Sequence, residues 1–252
     1  MDEKLTVLVT GASGTLGSAV VPRLVKEGFD VRPMSRRPRP GWVAADLRTG
    51  EGLAGAVRGA DAIVHLATSA GRTQQTDVEG TRRLAALAKE AGVRHLLFIS
   101  INGIERVPLG YYRAKLAAEA VIKASGVPYT ILRAAQFPSL IDSLLNVSGK
   151  LGPMIVDPRW VVQPVTVEDV ADRIATLLGE QPAGRTIEFA GPQVRHFDDL
   201  ARAWLDARGR KRPIWRMRIP GRMAAALRAG GLTTEAVPTG SRTWEDYLAA
   251  RY

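Results

Sequence analysis

The sequence of 252 residues contains no cysteine. This absence excludes disulfide scaffolds, thiolate zinc sites, iron–sulfur clusters and thiol nucleophiles. Histidine is scarce as well, because only His65, His95 and His196 occur and they are scattered along the chain. We therefore expect no metal site, and any chemistry must come from other groups.

Long apolar runs are also missing, since no stretch approaches the roughly 18 residues that a membrane helix needs. The N-terminal residues 1–4 lead directly into a strand-like run and lack the pattern of a signal peptide. With 46% hydrophobic and 24% charged residues, the composition is typical of a soluble globular protein. We expect a cytoplasmic protein that does not bind a membrane.

Positive charge is unevenly distributed along the chain. The formal net charge is +10, and residues 202–228 hold nine basic residues against the single acid Asp206. The rest of the chain is therefore nearly balanced. The simplest interpretation is a solvated basic face, and the alternative is a docking surface for a protein partner. We do not expect nucleic acid as a partner.

Short β-branched runs alternate with longer helical patterns in the first half of the chain, which is typical of βαβ units. Strand-like runs occur at 6–9, 29–35, 42–45, 62–66, 96–99 and 129–132, and helical patterns at 15–26, 77–91 and 111–125. We predict an α/β fold of the Rossmann type with a doubly wound parallel sheet.

The alternation weakens after about Arg133, where four prolines interrupt a stretch that we predict to be irregular. Later patterns predict a helix over 167–179, a strand over 186–189, a helix over 197–207 and a small C-terminal region. We divide the chain into a dinucleotide-binding core, residues 1–135, and a mixed region, residues 136–252. The mixed region is expected to complete the sheet and form the substrate pocket within the same compact unit.

A glycine-rich turn follows the first predicted strand, with Gly11, Gly14 and Gly17 in a G-x-x-G-x-x-G pattern. The first glycine permits a tight turn, the second lets backbone approach a pyrophosphate, and the third allows close helix–sheet packing. Phosphate would meet free N–H groups at the positive end of the helix dipole. A turn without a ligand is the alternative. The predicted dinucleotide contacts are Gly11, Ser13, Gly14, Thr15, Leu16 and Gly17.

The end of the second predicted strand bears on which dinucleotide binds. It reads Ser35-Arg36-Arg37, without a carboxylate that would repel a 2′-phosphate. Two guanidinium groups and a hydroxyl suit a phosphate by charge and by forked hydrogen bonding, so we predict NADP(H) as the cofactor. The alternative is that both arginines simply belong to an exposed loop.

Two further segments follow predicted strands. After the third strand, Asp46 could accept a hydrogen bond from the adenine amino group and Leu47 could pack on the ring, although helix capping also explains Asp46. After the fourth strand, the segment Leu66-Ala67-Thr68 offers small side chains where a bound cofactor passes near the sheet edge.

Tyr111 and Lys115 lie four residues apart in a helical pattern, and therefore on one helix face. An ammonium group near a phenol favours phenolate, which would lower the tyrosine pKa and let it exchange a proton with a carbonyl or alcohol. Lys115 could instead pair with Glu119, and the adjacent Tyr112 could take the place of Tyr111.

The glycine-rich turn, the strand-five serine Ser100 and the Tyr111/Lys115 spacing resemble the short-chain dehydrogenase/reductase superfamily. Several segments are similar to its atypical branch, the NmrA-like NAD(P)-binding proteins, over most of residues 5–195: 32–37, 129–133, 136–137 and 188–192. Two features depart from the superfamily pattern. The Ser100-to-Tyr111 separation is short, and Leu66-Ala67-Thr68 replaces an asparagine–alanine–glycine segment.

This resemblance implies roles for individual residues. Arg36 would meet the 2′-phosphate, Lys115 would contact the nicotinamide ribose, and Ser100 would steady the substrate oxygen. The segment bordering nicotinamide and substrate would be Ala134, Ala135, Gln136 and Phe137.

Three functions are compatible with these features. The first is an NADP-dependent oxidoreductase that transfers hydride to a small carbonyl, quinone or imine substrate, with Tyr111, Lys115 and Ser100 as catalytic residues. The second is a non-catalytic regulatory protein that senses NADP(H) and docks through residues 202–228. The third is a cofactor-dependent isomerase. The Tyr111/Lys115 pair favours the first and the concentrated charge favours the second.

Overall fold

The structure of the protein is a computed structural model that describes residues 4–69, 74–148 and 153–252, so residues 1–3 lie outside the described chain. The strands are β1 (Thr6–Thr10), β2 (Asp30–Ser35), β3 (Val43–Ala44), β4 (Ala62–His65), β5 (His95–Ile101), β6 (Tyr129–Ala134), β7 (Met154–Val156), β8 (Val161–Val162), β9 (Thr186–Phe189), β10 (Arg195–His196) and β11 (Ile214–Arg216). The helices are α1 (Gly17–Lys26), α2 (Leu53–Val57), α3 (Gly80–Glu90), α4 (Gly110–Ala124), α5 (Pro138–Ser148), α6 (Val167–Gly179), α7 (Phe197–Ala207), α8 (Arg222–Arg228) and α9 (Trp244–Arg251), with a π-helical turn at Gln74–Glu79 before α3. Across these described ranges, none of the helices has the length and apolarity needed to span a membrane.

Seven strands form the central sheet in the order β3-β2-β1-β4-β5-β6-β9. The first strand is parallel to both of its neighbours, with Val7 opposite Val31 in β2 and opposite Ala62 in β4. Because β2 and β3 extend the sheet on one side of β1 and the later strands on the other, the predicted doubly wound α/β fold is confirmed.

The direction of winding reverses between β1 and β4. Parallel neighbours need right-handed crossovers, so connections that run in opposite directions along the sheet pass over opposite faces. Ligands of open α/β sheets bind outside the carboxyl ends of the strands at such a point of reversal. The glycine-rich turn follows β1 directly, and the segment 66–68 follows β4.

Two compact units make up the described chain. The first comprises residues up to 100, 110–133 and 170–187. Its core joins strands to helices α2, α3 and α4, and includes Leu8, Leu53, Leu84, Phe98 and Ile122, each at most 1% exposed. Leu8 faces this core, so the fully buried Val7 and Val9 point to the opposite face of the sheet.

The second unit comprises residues 101–109, 134–169 and 188–252, and it has its own core. Helices α5, α7 and α9 contribute large side chains to that core, including Leu145, Trp204 and Trp244. The buried Asp142 carboxylate accepts hydrogen bonds from Trp204 Nε1 at 2.6 Å and from the hydroxyl of Tyr252 at 2.7 Å. Most of α6 belongs to the first unit, and our division of the chain at residue 135 stays a prediction.

Most predicted elements are present within a few residues of their expected bounds, including the helices at 167–179 and 197–207. The prediction that the stretch after Arg133 is irregular is wrong at its start, because α5 occupies Pro138–Ser148. Pro138 stands at the first position of that helix, where its missing N–H costs no intrahelical hydrogen bond. Ile141 and Leu145, four residues apart, supply the buried face.

Two histidines lie buried in the first unit. His65 Nδ1 is 2.7 Å from Thr10 Oγ1 and its Nε2 is 2.9 Å from Thr81 Oγ1. His95 Nε2 lies 2.9 Å from Thr130 Oγ1. Burial lowers the pKa of His65 to about 3, with the charge of Lys115 adding to the effect, and burial lowers the pKa of His95 to about 4.

We predict that the free energy of unfolding falls when the pH drops from 6.5 to about 5. In that range the unfolded chain takes up protons on His65 and His95 that the folded chain does not bind. Each histidine should contribute on the order of 1.5 kcal/mol. Urea unfolding at the two pH values measures the change. His65→Gln should reduce the loss of stability between the two pH values, and His196→Gln, a change at an exposed residue, should leave that loss unaltered. Equal stability at both pH values would contradict the buried neutral state of the two histidines.

Candidate active site

The glycine-rich turn packs closely against the end of β4. Gly11 has a φ of +67°, and a Cβ built on it would lie 2.7 Å from the backbone nitrogen of Ala67. A Cβ on Gly17 would overlap the carbonyl oxygen of Gly11. Both positions therefore require glycine for the turn itself, whether or not a ligand is bound.

The N-terminal end of α1 is open to a phosphate. No side chain within the described residues caps this helix, and its first turn carries no acid. The side chains of Ser13 and Thr15 and the backbone of Gly14 are exposed beside it, whereas Leu16 is buried and anchors the turn. Unpaired N–H groups at the positive end of a helix dipole are a favourable environment for a pyrophosphate, so these residues fit a dinucleotide.

Arg36 and Arg37 are exposed at the end of β2. Within the described ranges, neither guanidinium group forms an ion pair or a side-chain hydrogen bond. The hydroxyl of Ser35 donates to the carbonyl oxygen of Arg37 and holds this bend. Two unengaged guanidinium groups on an ordered bend suit a 2′-phosphate.

The side chains of Asp46 and Leu47 are largely engaged in contacts within the protein. The Asp46 carboxylate accepts a hydrogen bond from the backbone N–H of Arg48 at 2.7 Å, so it stabilises a turn and does not cap a helix. Leu47 is 4% exposed and belongs to the hydrophobic core, which leaves little of its side chain for an adenine ring. Contacts of these two residues with adenine stay a prediction.

Tyr111, Thr68, Asp77 and Lys115 form a continuous polar chain. The hydroxyl of Tyr111 is 2.8 Å from Thr68 Oγ1, and the Thr68 hydroxyl donates to Asp77 Oδ1 at 2.5 Å. Lys115 Nζ lies 3.6 Å from the same carboxylate oxygen. The second oxygen of Asp77 accepts the backbone N–H of Ser69 at 3.1 Å. The structure thus joins the predicted tyrosine and lysine to a carboxylate that the sequence analysis did not identify.

Burial shapes the acid–base properties of this chain. Lys115 is 2% exposed, and its ammonium group also donates to the carbonyl oxygen of Ile99 and lies 4.7 Å from the ring centre of Phe98. Burial lowers the pKa of Lys115, while the Asp77 carboxylate opposes that shift.

The pKa of Tyr111 is raised, mainly by burial and further by the negative charge of Asp77. A hydrogen bond donated by Thr68 would oppose this shift, but the Thr68 hydroxyl donates its proton to Asp77. This result corrects the expectation that Lys115 lowers the tyrosine pKa, because burial and the Asp77 carboxylate both raise it. Tyr111 is therefore a neutral phenol near pH 7. The neighbouring Tyr112 is 8% exposed, with its ring centre 6.1 Å from that of Tyr111. Tyr111 is the more accessible of the two.

Ser100 does not have the surroundings expected of a catalytic residue. It is buried, and its hydroxyl donates to Glu119 Oε1 at 2.6 Å. The same carboxylate forms a buried ion pair with Arg133, with Nη2 and Oε2 2.7 Å apart. The structure thus assigns Ser100 to a structural network, a correction to the role that the resemblance implied. It also assigns Glu119 to Arg133 and the exposed Lys123, so the alternative pairing of Lys115 with Glu119 is not adopted.

A second hydrogen-bond chain links the glycine-rich turn to Asp77. The backbone N–H of Ala67 donates to Thr10 Oγ1, which lies beside His65, and Thr81 donates to the carbonyl oxygen of Asp77 at 2.5 Å. The Thr81 hydroxyl donates its single proton to the Asp77 carbonyl oxygen, so Thr81 Oγ1 must accept a hydrogen bond from His65 Nε2. His65 Nδ1 then accepts a hydrogen bond from the Thr10 hydroxyl. Neutral His65 therefore bridges β1 to the π-helical turn.

The segment predicted to border nicotinamide and substrate lies in the second unit. Ala134, Ala135 and Gln136 are buried and Phe137 is partly exposed. Both amide atoms of Gln136 are buried without a hydrogen-bond partner among the described residues. Such a group is rare in a folded protein and fits a position that a polar ligand completes.

The basic segment 202–228 also lies in the second unit. Three of its arginines pair with acids outside the segment: Arg202 and Arg216 with Asp198, and Arg228 with Asp157. Arg210, Lys211 and Arg212 line an open groove of about 750 Å³ together with Arg216. The positive charge of the segment is thus partly neutralised, and the groove combines basic residues with the acid Asp206.

Comparison with known proteins gives a consistent result. A sequence model of the NAD(P)H-binding family matches residues 11–181. A Streptomyces griseus protein, (4-alkanoyl-5-oxo-2,5-dihydrofuran-3-yl)methyl phosphate reductase, is 31% identical over 201 residues, which cover 74% of this chain and 68% of the relative. An uncharacterised Mycobacterium tuberculosis protein is 26% identical over 94% of this chain, which spans 24% of that relative's length.

Two solved structures have the same fold. An Escherichia coli NADPH-dependent quinone oxidoreductase, crystallised with NADPH, superposes with a TM-score of 0.82 at 19% identity over 97% of this chain and 99% of the other. A Citrobacter triphenylmethane reductase with NADP(H) gives a TM-score of 0.80 at 20% identity, with 98% and 100% coverage. At these identities the likeness concerns the fold.

We predict that Gly14→Val leaves a folded protein that no longer binds NADPH. A Cβ at Gly14 would lie 3.2 Å from the Gly11 carbonyl oxygen and otherwise faces open space, so the fold tolerates it, while the branched side chain fills the region that phosphate needs. The measurement is thermal melting with and without NADPH, because ligand binding stabilises the folded state.

The matched control is Gly17→Val, which should destabilise the protein without any ligand. Stabilisation of Gly14→Val by NADPH would place the phosphates elsewhere.

Proposed function

Since this chain belongs to the NAD(P)H-binding family, we propose that it is an NADPH-dependent reductase that delivers hydride to a small carbonyl, quinone or imine substrate. The observation that carries the proposal is the chain of Tyr111, Thr68, Asp77 and Lys115, with a neutral, partly exposed phenol at its outer end. The matched relatives of known activity support it by analogy, because their names describe reductases of a quinone, of triphenylmethanes and of a phosphate ester.

The cofactor would be held by the residues that follow β1 and β2. Backbone N–H groups of the glycine-rich turn and α1 would bind the pyrophosphate, and Arg36 with Arg37 would bind the 2′-phosphate. A bound reduced nicotinamide supplies the hydride. The remaining task of the protein is to bind the substrate and provide a proton.

Tyr111 is suited to provide that proton. A phenol that is neutral at pH 7 can donate to the oxygen of a carbonyl or quinone as negative charge develops there. Lys115 is buried behind it and would contribute to the ribose site and to the charge balance. We do not include Ser100 in this mechanism, since its side chain is 4% exposed and belongs to the buried network of Glu119, whereas Tyr111 is partly exposed.

A second candidate function is supported by one observation, the basic groove lined by Arg210, Lys211, Arg212 and Arg216. A protein that senses NADP(H) could use it to dock an acidic surface of a partner protein. The two functions differ in turnover. A sensor would bind NADPH without oxidising it in the presence of any member of a broad carbonyl, quinone and imine panel.

We predict that the protein binds NADPH at least about tenfold more tightly than NADH, because charge-assisted hydrogen bonds from the two exposed arginines contribute about 1.5–3 kcal/mol. Arg36→Ala should remove most of this preference, and Arg37→Ala should remove less. Fluorescence titration with both nucleotides gives the dissociation constants. The exposed Arg39→Ala, whose guanidinium packs on Trp42, is the control. Equal affinity of the unmodified protein for both nucleotides would contradict the assignment.

We predict that Tyr111→Phe lowers the rate of NADPH-dependent substrate reduction by about 100- to 10,000-fold, while the dissociation constant for NADPH changes little. The substitution removes the proton donor and leaves the phosphate contacts intact. The matched control is Tyr112→Phe, which should retain activity. If Tyr112→Phe abolished turnover and Tyr111→Phe did not, the proton donor would be Tyr112.

A further inference from the structure

We propose that Asp77 is a positioning residue of this site, which compensates the charge of Lys115 and acts through Thr68 to keep Tyr111 protonated. The inference rests on the proposed role of Tyr111 as a proton donor, and it adds a residue that neither the sequence motifs nor the comparisons assign. Asp77 acts through Thr68 and Lys115, which are the groups expected next to cofactor and substrate.

The directions of the hydrogen bonds carry this inference. A threonine hydroxyl has one proton, and Thr68 donates it to Asp77 Oδ1. Thr68 can therefore only accept from Tyr111, so the phenol must be the donor across the 2.8 Å contact. If Tyr111 lost its proton, a phenolate oxygen would face a lone pair of Thr68. The Asp77 carboxylate thus disfavours phenolate through the orientation of Thr68 as well as through its own charge.

The position of Asp77 makes this orientation rigid. Its carboxylate is fully buried, at 3.6 Å from the equally buried ammonium of Lys115. Thr81 fixes its carbonyl oxygen, and the N–H of Ser69 fixes its second carboxylate oxygen. A buried carboxylate with this many partners has one orientation available, and Thr68 must follow it.

Among the residues that the structure describes, the charged and titratable groups around Tyr111 come from few elements. Asp77 belongs to the π-helical turn, and Lys115 and Tyr112 share α4 with Tyr111. Glu119, also on α4, and His65 on β4 interact electrostatically with Lys115. Asp77 is the group that faces both Lys115 and the Thr68–Tyr111 contact, so its removal should change the ionisation of Tyr111 more than any other single neutralisation.

The test is a titration of the Tyr111 phenol in the cofactor-free protein between about pH 7 and 11, followed by phenolate absorbance. Subtracting the curve of the matching Tyr111→Phe protein isolates this tyrosine from the other four. Asp77→Asn should increase the Tyr111 ionisation constant at least about tenfold, because it removes the negative charge that disfavours phenolate and provides an amide N–H that can donate to Thr68, whose own proton can then face the phenolate. Glu79→Gln, which neutralises a partly exposed carboxylate in the same turn, is the matched control and should have no effect.

A double-variant comparison tests the route through Thr68. With Thr68→Val present, Asp77→Asn should increase the ionisation constant clearly less than it does when Thr68 is intact, whereas Thr68→Ser, which keeps the hydroxyl, should preserve the full effect. An Asp77→Asn protein with unchanged Tyr111 ionisation would overturn the proposal. An equal effect with and without the Thr68 hydroxyl would overturn the route.

Removal of one partner of a buried ion pair can unfold a protein, whereas removal of both is often tolerated. If Asp77→Asn does not fold, Lys115→Met is compared with the double variant Asp77→Asn/Lys115→Met. The Tyr111 ionisation constant should again be larger in the variant that lacks the Asp77 carboxylate. Failure of that difference would overturn the proposal. Since the titration needs neither substrate nor NADPH, its result is independent of whether the protein proves to be a reductase.

Discussion

The buried ammonium group of Lys115 is the constraint on which the candidate site depends. A charge that is 2% exposed is costly unless it is paired and hydrogen-bonded, and Lys115 satisfies this requirement with three residues from two elements of the first unit. Asp77 comes from the π-helical turn, and the Ile99 carbonyl and the Phe98 ring come from β5. Helix α4 can therefore dock in one way only, and that orientation also fixes Tyr111 one turn earlier.

A second buried ion pair fixes the same helix one turn further along. Glu119 accepts from Arg133 on β6 and from Ser100 on β5, so α4 presents two successive buried charges, Lys115 paired with the π-helical turn and Glu119 paired with the sheet. Lys115 and Glu119 lie one helical turn apart, but they do not pair with each other. Each connects α4 to a different partner, Asp77 and Arg133 respectively. In the other direction, neutral His65 connects Asp77 to the strand that precedes the glycine-rich turn. The strand that leads into the glycine-rich turn and the chain that holds Tyr111 are therefore linked by buried hydrogen bonds.

Features that depend on neighbouring residues could be predicted from the sequence. The Rossmann-type sheet followed from alternating short apolar runs and helical patterns, and the glycine-rich turn followed from spacing, because a turn and the helix after it are set by local backbone requirements. Helix α5 was missed because Pro138 was treated as a break, whereas the first turn of a helix accepts proline. The exposure of Arg36 and Arg37 at the end of β2 could be predicted because the end of a strand is recognisable from the neighbouring residues alone.

By itself the sequence determined the fold class, the place of the glycine-rich turn and the spacing of Tyr111 and Lys115. Only the tertiary structure decided the partners of the buried charges. Asp77 reaches Lys115 across 38 positions, and Ser100 reaches Glu119 across 19, so neither contact leaves a local pattern in the chain. For the same reason the direction of the Tyr111 pKa shift could not be derived from a tyrosine–lysine spacing. It depends on burial and on the carboxylate that compensates the lysine, and both exist only once the helix is packed.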